Sequence, residues 1–308
     1  MLALYIVLGI IGGLLLIAFF SLLYLHYQVF YSPHKGQNND FALTKSTQFL
    51  GNEDNVTSLI SSLKEIPYED AYIMSFDILK LHARVYKSTT NDKRVAILFH
   101  GYRGTACRDF SGGAKLLIEE GLNVILVDER GHGLSKGHNI TFGRREQKDV
   151  SSWCTYAHQI FGDDIEIILV GISMGAATVL MASDQVDVKK IIADCPYSTE
   201  REIIEETIIH LKLSSKIFWP ITNLSSIIFS RSNLAKDDAS LHVKNSKAKI
   251  LIIHGEKDSI VPHKFSERIY LENKEKVQYE LFANTDHGVS YLTDTSRYKK
   301  VVKDFINK

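Results

Sequence analysis

A serine flanked by two glycines gives the clearest chemical signal in this sequence. The run Gly171-Ile-Ser173-Met-Gly175 follows an apolar, β-branched stretch and leads into the helix-forming residues Ala176–Met181. A strand, a sharp turn and a helix in this order form a nucleophile elbow, in which a strained turn lifts the serine hydroxyl off a sheet. Because Met174 opens the helix, its backbone N–H lacks a helical partner and could stabilise an oxyanion. The pattern predicts that Ser173 is a nucleophile.

A serine hydroxyl is a weak nucleophile at neutral pH, so it needs a base and a carboxylate that orients the base. Two loops after predicted strands offer them. Asp258 follows the predicted strand Lys249–His254, and His287 follows the predicted strand Val277–Phe282. The chain order Ser, Asp, His is the one expected after an elbow of this kind. We therefore expect Asp258 to orient His287, and His287 to take the proton of Ser173.

Two other residues could fill these roles. His132 lies in a glycine turn before the serine, whereas His287 lies in a glycine-flanked loop directly after the last predicted strand, which favours His287 as the base. Asp194 ends the strand after the elbow. Since a carboxylate at either strand end can reach the histidine, Asp194 stays an alternative to Asp258. Asp286 adjoins His287 and is expected to point away from it.

Composition sets limits on the classes of partner and cofactor. The 308 residues are 45% hydrophobic, enough for one large domain with an insertion or for two smaller ones. The 36 basic residues balance 36 acidic ones, and no basic run carries interleaved aromatics, so nucleic acid is not an expected partner. Cys107, Cys154 and Cys195 are widely spaced and odd in number, which predicts neither a disulfide framework nor a zinc site. Cys107 is expected to fill buried space.

The amino-terminal segment predicts a membrane anchor. Leu2 to Leu25 contains no charged side chain, and a helix of this length would cover about 36 Å, enough to cross a bilayer. A cleaved signal peptide is the alternative, but there is no basic amino-terminal region and no small-x-small cleavage site. We expect residues 1–27 to be a single-pass anchor and 28–70 to be a polar stalk with one or two short helices. Four aromatic residues are expected at the membrane interface: Tyr24, Tyr27, Phe30 and Tyr31. The count of lysines and arginines does not decide which side of the cell membrane the rest of the chain occupies.

From residue 71 to 308 short apolar strands alternate with amphipathic helices. Apolar strands of this kind are typical of a mostly parallel sheet covered on both faces, and an antiparallel pair at its start makes the sheet mixed. The fold class is therefore predicted to be α/β. Besides those already named, the predicted strands are Ala71–Phe76, Leu79–Tyr86, Arg94–Phe99, Asn123–Asp128, the run before the elbow, and Lys190–Ala193. Predicted helices are Cys107–Glu120, Arg145–Ile160, Glu202–Leu213, one from His263 and one from Ser290.

Residues 200–246 interrupt this alternation with apolar patches that lack strand spacing. We expect an inserted, mainly helical lid that contributes an apolar wall to a substrate pocket. Alternatively, these residues only cover the sheet. Both interpretations place the insertion above the serine.

Several motifs in one order make the chain resemble the α/β-hydrolase fold serine hydrolases. They are His100-Gly101-Tyr102, Asp128-x-Arg130-Gly131-His132-Gly133-x-Ser135, the elbow, Gly255-x-x-Asp258-x-x-Val261-Pro262 and Asp286-His287-Gly288. The resemblance implies oxyanion donors at the N–H groups of Tyr102 and Met174, and a triad of Ser173, Asp258 and His287. It does not extend to the anchor and the stalk. Among subgroups the chain is similar to membrane-anchored bacterial esterases, lysophospholipases and acyl-peptidase-like proteins.

These observations predict a membrane-tethered serine hydrolase that cleaves carboxylic esters or thioesters through an acyl-enzyme. The expected substrate is a small-molecule or lipid ester, and this chemistry implies neither a metal nor an organic cofactor. Two alternatives remain: an amide-cleaving peptidase with the same triad, and a non-catalytic membrane scaffold that retains the fold.

Overall fold

The computed structural model describes residues 1–32, 49, 51–90, 92–235 and 237–308. Part of the predicted stalk, residues 33–48 and 50, lies outside the described residues. The twelve described α-helices are α1 (Leu2–Phe30), α2 (Glu53–Lys64), α3 (Ala106–Asp109), α4 (Ser111–Glu119), α5 (Glu146–Phe161), α6 (Met174–Met181), α7 (Glu200–His210), α8 (Ser215–Ser225), α9 (Ala239–Asn245), α10 (Lys264–Glu272), α11 (Ser290–Thr293) and α12 (Thr295–Ile306). A π-helical turn, Ser226–Ser230, continues α8.

Eight strands form one sheet in the order β1-β2-β4-β3-β5-β6-β7-β8. Their bounds are β1 Glu69–Met74, β2 Lys80–Tyr86, β3 Arg94–Phe99, β4 Asn123–Asp128, β5 Glu166–Ile172, β6 Lys190–Asp194, β7 Lys249–Gly255 and β8 Val277–Phe282. The β1–β2 and β2–β4 pairs are antiparallel, and all other neighbours are parallel. The predicted mixed, mostly parallel sheet of an α/β protein is confirmed.

The central strands are buried on both faces, which explains their unbroken apolar sequences. All six residues of β4 are buried, and so are all but the first residue of β3, β5 and β7. Helices must cover both faces of such a sheet, and the crossovers between parallel strands supply them.

Local capping explains where three predicted helices differ from the observed ones. The predicted helix 107–120 is interrupted at Phe110, which ends α3 and begins α4. The helix predicted from Glu202 starts two residues earlier because Thr199 and Glu202 form a capping box, each side chain accepting from the other's backbone N–H. The helix predicted from Ser290 is divided in two, because Asp294 caps the N–H of Arg297 to begin α12.

The last turn of α1 belongs to the core of the domain. The side chains from Leu2 to Ser21 are exposed, but Phe30 is fully buried and lies edge-on against Phe142 at 5.9 Å between ring centroids. The N–H of Ile140 donates to Phe30 O at 2.7 Å. The expectation that Phe30 lies at a membrane interface is therefore wrong, because the last turn of α1 packs on the domain and places this ring in the core.

Helix α2 lies within the segment predicted as a polar stalk, but it packs on the domain. Its apolar side chains Val56, Ile60 and Leu63 are buried, and Leu63 joins the same hydrophobic cluster as Leu117 of α4. The helix carries an apolar stripe at three- and four-residue spacing, which needs a partner surface. One short helix of the predicted stalk is therefore packed on the domain.

Replacing Phe30 tests whether the end of α1 is part of the folded domain. We expect Phe30→Ala to lower the free energy of unfolding by about 3 kcal/mol, since it removes a fully buried aromatic ring. Thermal unfolding of the full chain in one detergent measures this. The control Tyr24→Ala removes a ring that is 67% exposed and should leave the midpoint nearly unchanged. Equal midpoints for the two variants would contradict the packing.

Candidate active site

The turn between β5 and α6 holds Ser173 in a strained conformation. Its φ is +54° and its ψ is −115°, a region that side chains rarely adopt. Two glycines enforce the turn: a Cβ on Gly171 would lie 2.3 Å from Gly175 O, and a Cβ on Gly175 would lie 1.9 Å from Phe99 O. The Ser173 N–H donates to Asp194 O at 2.8 Å. The first turn of α6 therefore packs closely against the backbones of β3 and β5, because neither glycine places a Cβ between them.

Three predicted residues from three loops meet at this turn. His287 Nε2 lies 2.9 Å from Ser173 Oγ, and His287 Nδ1 lies 2.7 Å from Asp258 Oδ2. The neighbouring Asp286 accepts from the N–H and the hydroxyl of Ser259, so its carboxylate points away from the imidazole, as expected. The hydroxyl, the imidazole and the carboxylate form one continuous chain of hydrogen bonds. Such a chain can move a proton away from a serine.

The carboxylate of Asp258 is fixed by groups on β7 and the loop after it. Its Oδ1 accepts from the N–H groups of Ile260 and Val261 at 2.9 and 2.7 Å. The fully buried His254 places Nε2 3.2 Å from Asp258 Oδ2 and 2.9 Å from Val261 O. Because a carbonyl oxygen only accepts, His254 Nε2 carries the proton. Sequence reasoning missed His254; its one signal is a histidine at the end of a buried strand, four positions before Asp258.

The charges in this chain of hydrogen bonds are adjusted by burial and by partners. Burial alone would raise the pKa of Asp258, but the hydrogen bonds from His254 and His287 outweigh it and hold that pKa well below its ordinary value. Burial alone would lower the pKa of His287, but the hydrogen bond and the charge of Asp258 outweigh it and raise that pKa above 6.5. The pair therefore favours an ionised carboxylate beside a basic imidazole.

Asp194, the alternative acid, occupies a different position. It is buried at the end of β6, and its backbone carbonyl accepts from the Ser173 N–H, while Asp258 accepts from His287 Nδ1. Burial raises the pKa of Asp194 to about 7, although His287 nearby partly opposes this. Asp194 therefore braces the elbow through its backbone and is only partly ionised at neutral pH.

Two backbone N–H groups border the serine and have no partner within the described chain: those of Tyr102 and Met174. The loop that carries Tyr102 is held by two histidines. His100 Nδ1 donates to Gly101 O at 2.8 Å, and His132 Nε2 accepts from the Arg103 N–H at 3.1 Å. His132 is thus engaged in shaping this loop, which agrees with the preference for His287 as the base.

The same loop is attached to the end of α1. The Tyr102 hydroxyl donates to Val29 O at 2.7 Å, and the Arg103 guanidinium donates to Gln28 O at 2.7 Å and to Tyr31 O at 3.0 Å. Carbonyls in the last turn of a helix lack helical partners, so these donors satisfy them. Three hydrogen bonds therefore join the end of α1 to the loop that carries Tyr102.

An apolar cavity of about 520 Å³ opens beside Ser173. Its walls come from α1, α7 and α8, and include Leu25, Val29, Ile204, Ile208 and Phe218. Arg103 is the one charged side chain among the described residues that line it. The shape and polarity suit an acyl chain.

Cys195 lies close to Asp258 and His287, since one ligand atom of each of the three residues lies within 4.8 Å of the others. Burial raises the pKa of the Cys195 thiol well above its ordinary value, so the thiol stays protonated. Metals bind the thiolate, and both ring nitrogens of His287 already have partners. These three groups therefore fit proton transfer better than metal binding.

Comparison with known proteins gives a family match for part of the chain. Residues 90–219 match the family model described as serine aminopeptidase, S33. The uncharacterised protein YqkD of Bacillus subtilis is 26% identical over 201 residues, which are 62% of this chain and 64% of YqkD. YfhR of Salmonella typhi is 24% identical over 201 residues, 61% of each chain. The matched part thus spans under two thirds of these relatives.

Solved structures show the same fold at low sequence identity. An esterase of Pyrococcus furiosus superposes with a TM-score of 0.65 at 22% identity, covering 80% of this chain and 92% of the esterase. Est1E of Butyrivibrio proteoclasticus, solved with ferulic acid bound, gives 0.61 at 20% identity and covers 77% and 100%. An alpha-beta serine hydrolase homologue of Coxiella burnetii gives 0.53 at 17% identity and covers 76% and 94%.

Gly175→Ala tests the close approach that shapes the elbow. We expect it to abolish fluorophosphonate labelling, because its Cβ would lie 1.9 Å from Phe99 O and the helix must shift. Labelling at saturating probe is the measurement, with the thermal midpoint recorded beside it. The control Gly113→Ala, whose Cβ meets only a ring atom at 3.6 Å, should keep both. Wild-type labelling of Gly175→Ala would contradict the geometry.

The pH dependence of labelling tests the electrostatics of the pair. A protonated imidazole cannot accept the Ser173 proton, so the labelling rate should fall as pH falls through the pKa of His287, with an inflection above 6.5. Asp258→Asn removes the charge that raises this pKa and should move the inflection down. A wild-type inflection at or below 6.5, or no shift in the variant, would contradict the assignment.

Proposed function

We propose that this chain, which has the α/β-hydrolase fold, is a serine hydrolase that cleaves carboxylic esters or thioesters through an acyl-enzyme. One observation carries the proposal: the hydroxyl of Ser173, the imidazole of His287 and the carboxylate of Asp258 are hydrogen-bonded in sequence at 2.9 and 2.7 Å. Ser173 also lines an apolar cavity that can receive an acyl chain.

The proposed reaction uses each group once in acylation and once in deacylation. Ser173 Oγ attacks the acyl carbon while His287 Nε2 accepts its proton, and Asp258 stabilises the imidazolium that forms. The N–H groups of Tyr102 and Met174 donate to the carbonyl oxygen as it becomes an oxyanion. His287 then gives the proton to the leaving alcohol or thiol, whose bond to the acyl carbon breaks. Water repeats these steps and releases the acid.

The cavity favours an ester of an acyl chain over an amino-terminal peptide. An aminopeptidase must hold the α-ammonium of its substrate, and a carboxylate is the usual partner for such a cation. Among the described residues, the cavity lining has no carboxylate, and its one charge is the cation of Arg103. An amide substrate stays the second candidate because the matched family model is described as a serine aminopeptidase.

The proposal includes membrane attachment through residues 1–27 and a catalytic part within 71–308, with 200–246 as its lid. Helix α1 is long and apolar enough to cross a bilayer. It also contributes Leu25 and Val29 to the cavity wall, which supports a substrate that reaches the enzyme at the membrane, such as a lipid ester.

Substitutions of the three catalytic groups test the proposal. We expect Ser173→Ala to lower kcat for a short-chain ester by about 10⁶ and to abolish labelling. Asp258→Asn should lower kcat by about 10⁴, because the imidazole loses its orienting charge. Asp194→Asn is the matched control, since it changes the alternative carboxylate, and should change kcat less than tenfold. A larger loss in Asp194→Asn than in Asp258→Asn would reverse the assignment of the acid.

A substrate panel separates the candidate activities. Esters, thioesters and aminoacyl amides with matched acyl groups are compared by kcat/KM on the wild-type chain, with Ser173→Ala as the blank. We expect ester and thioester hydrolysis to exceed amide hydrolysis by at least 100-fold. Preference for aminoacyl amides would instead establish a peptidase.

A further inference from the structure

Helix α8 and the π-helical turn after it have their apolar side facing outward. Four large apolar side chains at helical spacing are exposed: Ile217, Ile221, Leu224 and Ile228, at 59, 39, 48 and 49%. The buried residues of this segment are Trp219 and four small polar residues, Thr222, Ser225, Ser226 and Ser230. A helix on a water-soluble domain has the reverse arrangement, with its apolar stripe against the core. This polarity indicates that an apolar medium lies outside the helix.

The position of this segment beside α1 identifies that medium. The ring of Phe229 lies 5.8 Å from the ring of Phe19 and 5.1 Å from that of His26. Small hydroxyl residues between two helices are typical of helix pairs in membranes. Along α1, Phe19 lies about 26 Å from Leu2, and the hydrocarbon core of a bilayer is about 30 Å thick. With Leu2 near one edge of the core, Phe19 lies near the other. Segment 215–230 therefore runs beside α1 at the level where α1 leaves the membrane.

The charges around the segment suit a membrane surface. The stretch 207–235 contains no aspartate or glutamate, and it carries the exposed cations Lys212, Lys216 and Arg231. Lysine and arginine beside an apolar face reach lipid head groups while their stems cover apolar surface. The stretch that includes this segment thus holds no carboxylate, although acidic and basic residues are equal in number over the whole sequence.

The catalytic cavity opens at the same face. Two leucines in the connection between α7 and α8 line the cavity and are exposed, Leu211 at 65% and Leu213 at 42%. Gln28, in the last turn of α1, is a third exposed lining residue. An opening rimmed by exposed leucines would be unfavourable in water. It is suited to receiving a chain from an apolar phase.

From these observations we propose that residues 215–230 lie in the membrane interface beside α1 and that the cavity opens to lipid. The substrate class is then an ester of a long acyl chain that is dissolved in the bilayer and enters without crossing water. This inference rests on the proposed function, since it assumes that α1 is inserted and that Ser173 cleaves esters.

Two aspartates on the outward face test the inference on the full chain in phosphatidylcholine vesicles. We expect Ile221→Asp combined with Leu224→Asp to lower hydrolysis of a long-chain umbelliferyl ester held in the vesicles at least tenfold. Hydrolysis of water-soluble umbelliferyl butyrate should stay within twofold, because neither residue lines the cavity. The control combines Ile160→Asp and Leu271→Asp, which lie on other helices and are similarly exposed, at 39 and 54%, and it should leave both rates unchanged. Unchanged vesicle hydrolysis in the first variant would overturn the inference.

Depth-dependent quenching gives a second readout that needs no activity. A bimane probe on Ile221→Cys should be quenched by nitroxide lipids more than the same probe on Ile160→Cys; Cys107, Cys154 and Cys195 are buried and should not react. Equal quenching at the two sites would overturn membrane contact. Energy transfer between labelled copies, without lipid quenching, would instead assign the face to a second copy of the chain.

The two assays also separate failure of the inference from failure of the proposed function. If the wild-type chain hydrolyses the butyrate ester but the aspartates have no effect, only the membrane contact is wrong. If the wild-type chain hydrolyses neither ester while Ile221→Cys is quenched by lipid, the face meets the membrane and the catalytic proposal is wrong, together with the substrate class that depends on it.

Discussion

The close approach of α6 to β3 and β5 is the constraint on which the site depends. With no room for a Cβ at Gly171 or Gly175, the backbone must turn at Ser173, which takes a positive φ. That turn presents the hydroxyl to His287 and leaves the N–H of Met174 free to donate. The strain of one residue is offset by the packing of a large sheet, so the half-buried hydroxyl of Ser173 is held beside His287.

The end of α1 links the apolar helix to the chemistry. Phe30 fills the core, while the carbonyls of Gln28 and Val29 accept from the loop that carries Tyr102. A helix that only tethered the domain would need none of these contacts. Helix α8 packs beside α1, and residues of both helices line the cavity. The proposed membrane attachment and the proposed entry of substrate would thus share one structural basis.

Local sequence patterns predicted most of the sheet and the residues that meet at Ser173. Continuous apolar runs such as Asn123–Asp128 specify buried parallel strands. The two glycines around Ser173 likewise favour a sharp turn from strand to helix. Patterns could not predict which surface an apolar residue meets. Phe30 and the stripe from Ile217 to Ile228 are all large apolar residues in helices, yet Phe30 packs in the core and the stripe faces outward. His254 was missed because its role depends on a contact made across a loop.

The measurement that tests the central claim most directly is a crystal structure of the full chain after reaction with a fluorophosphonate. The account predicts a phosphonyl group on Ser173 Oγ, with one oxygen within hydrogen-bond distance of the N–H groups of Tyr102 and Met174. His287 should lie between the adduct and Asp258. A phosphonyl group on another residue, or an oxygen turned away from both N–H groups, would contradict it.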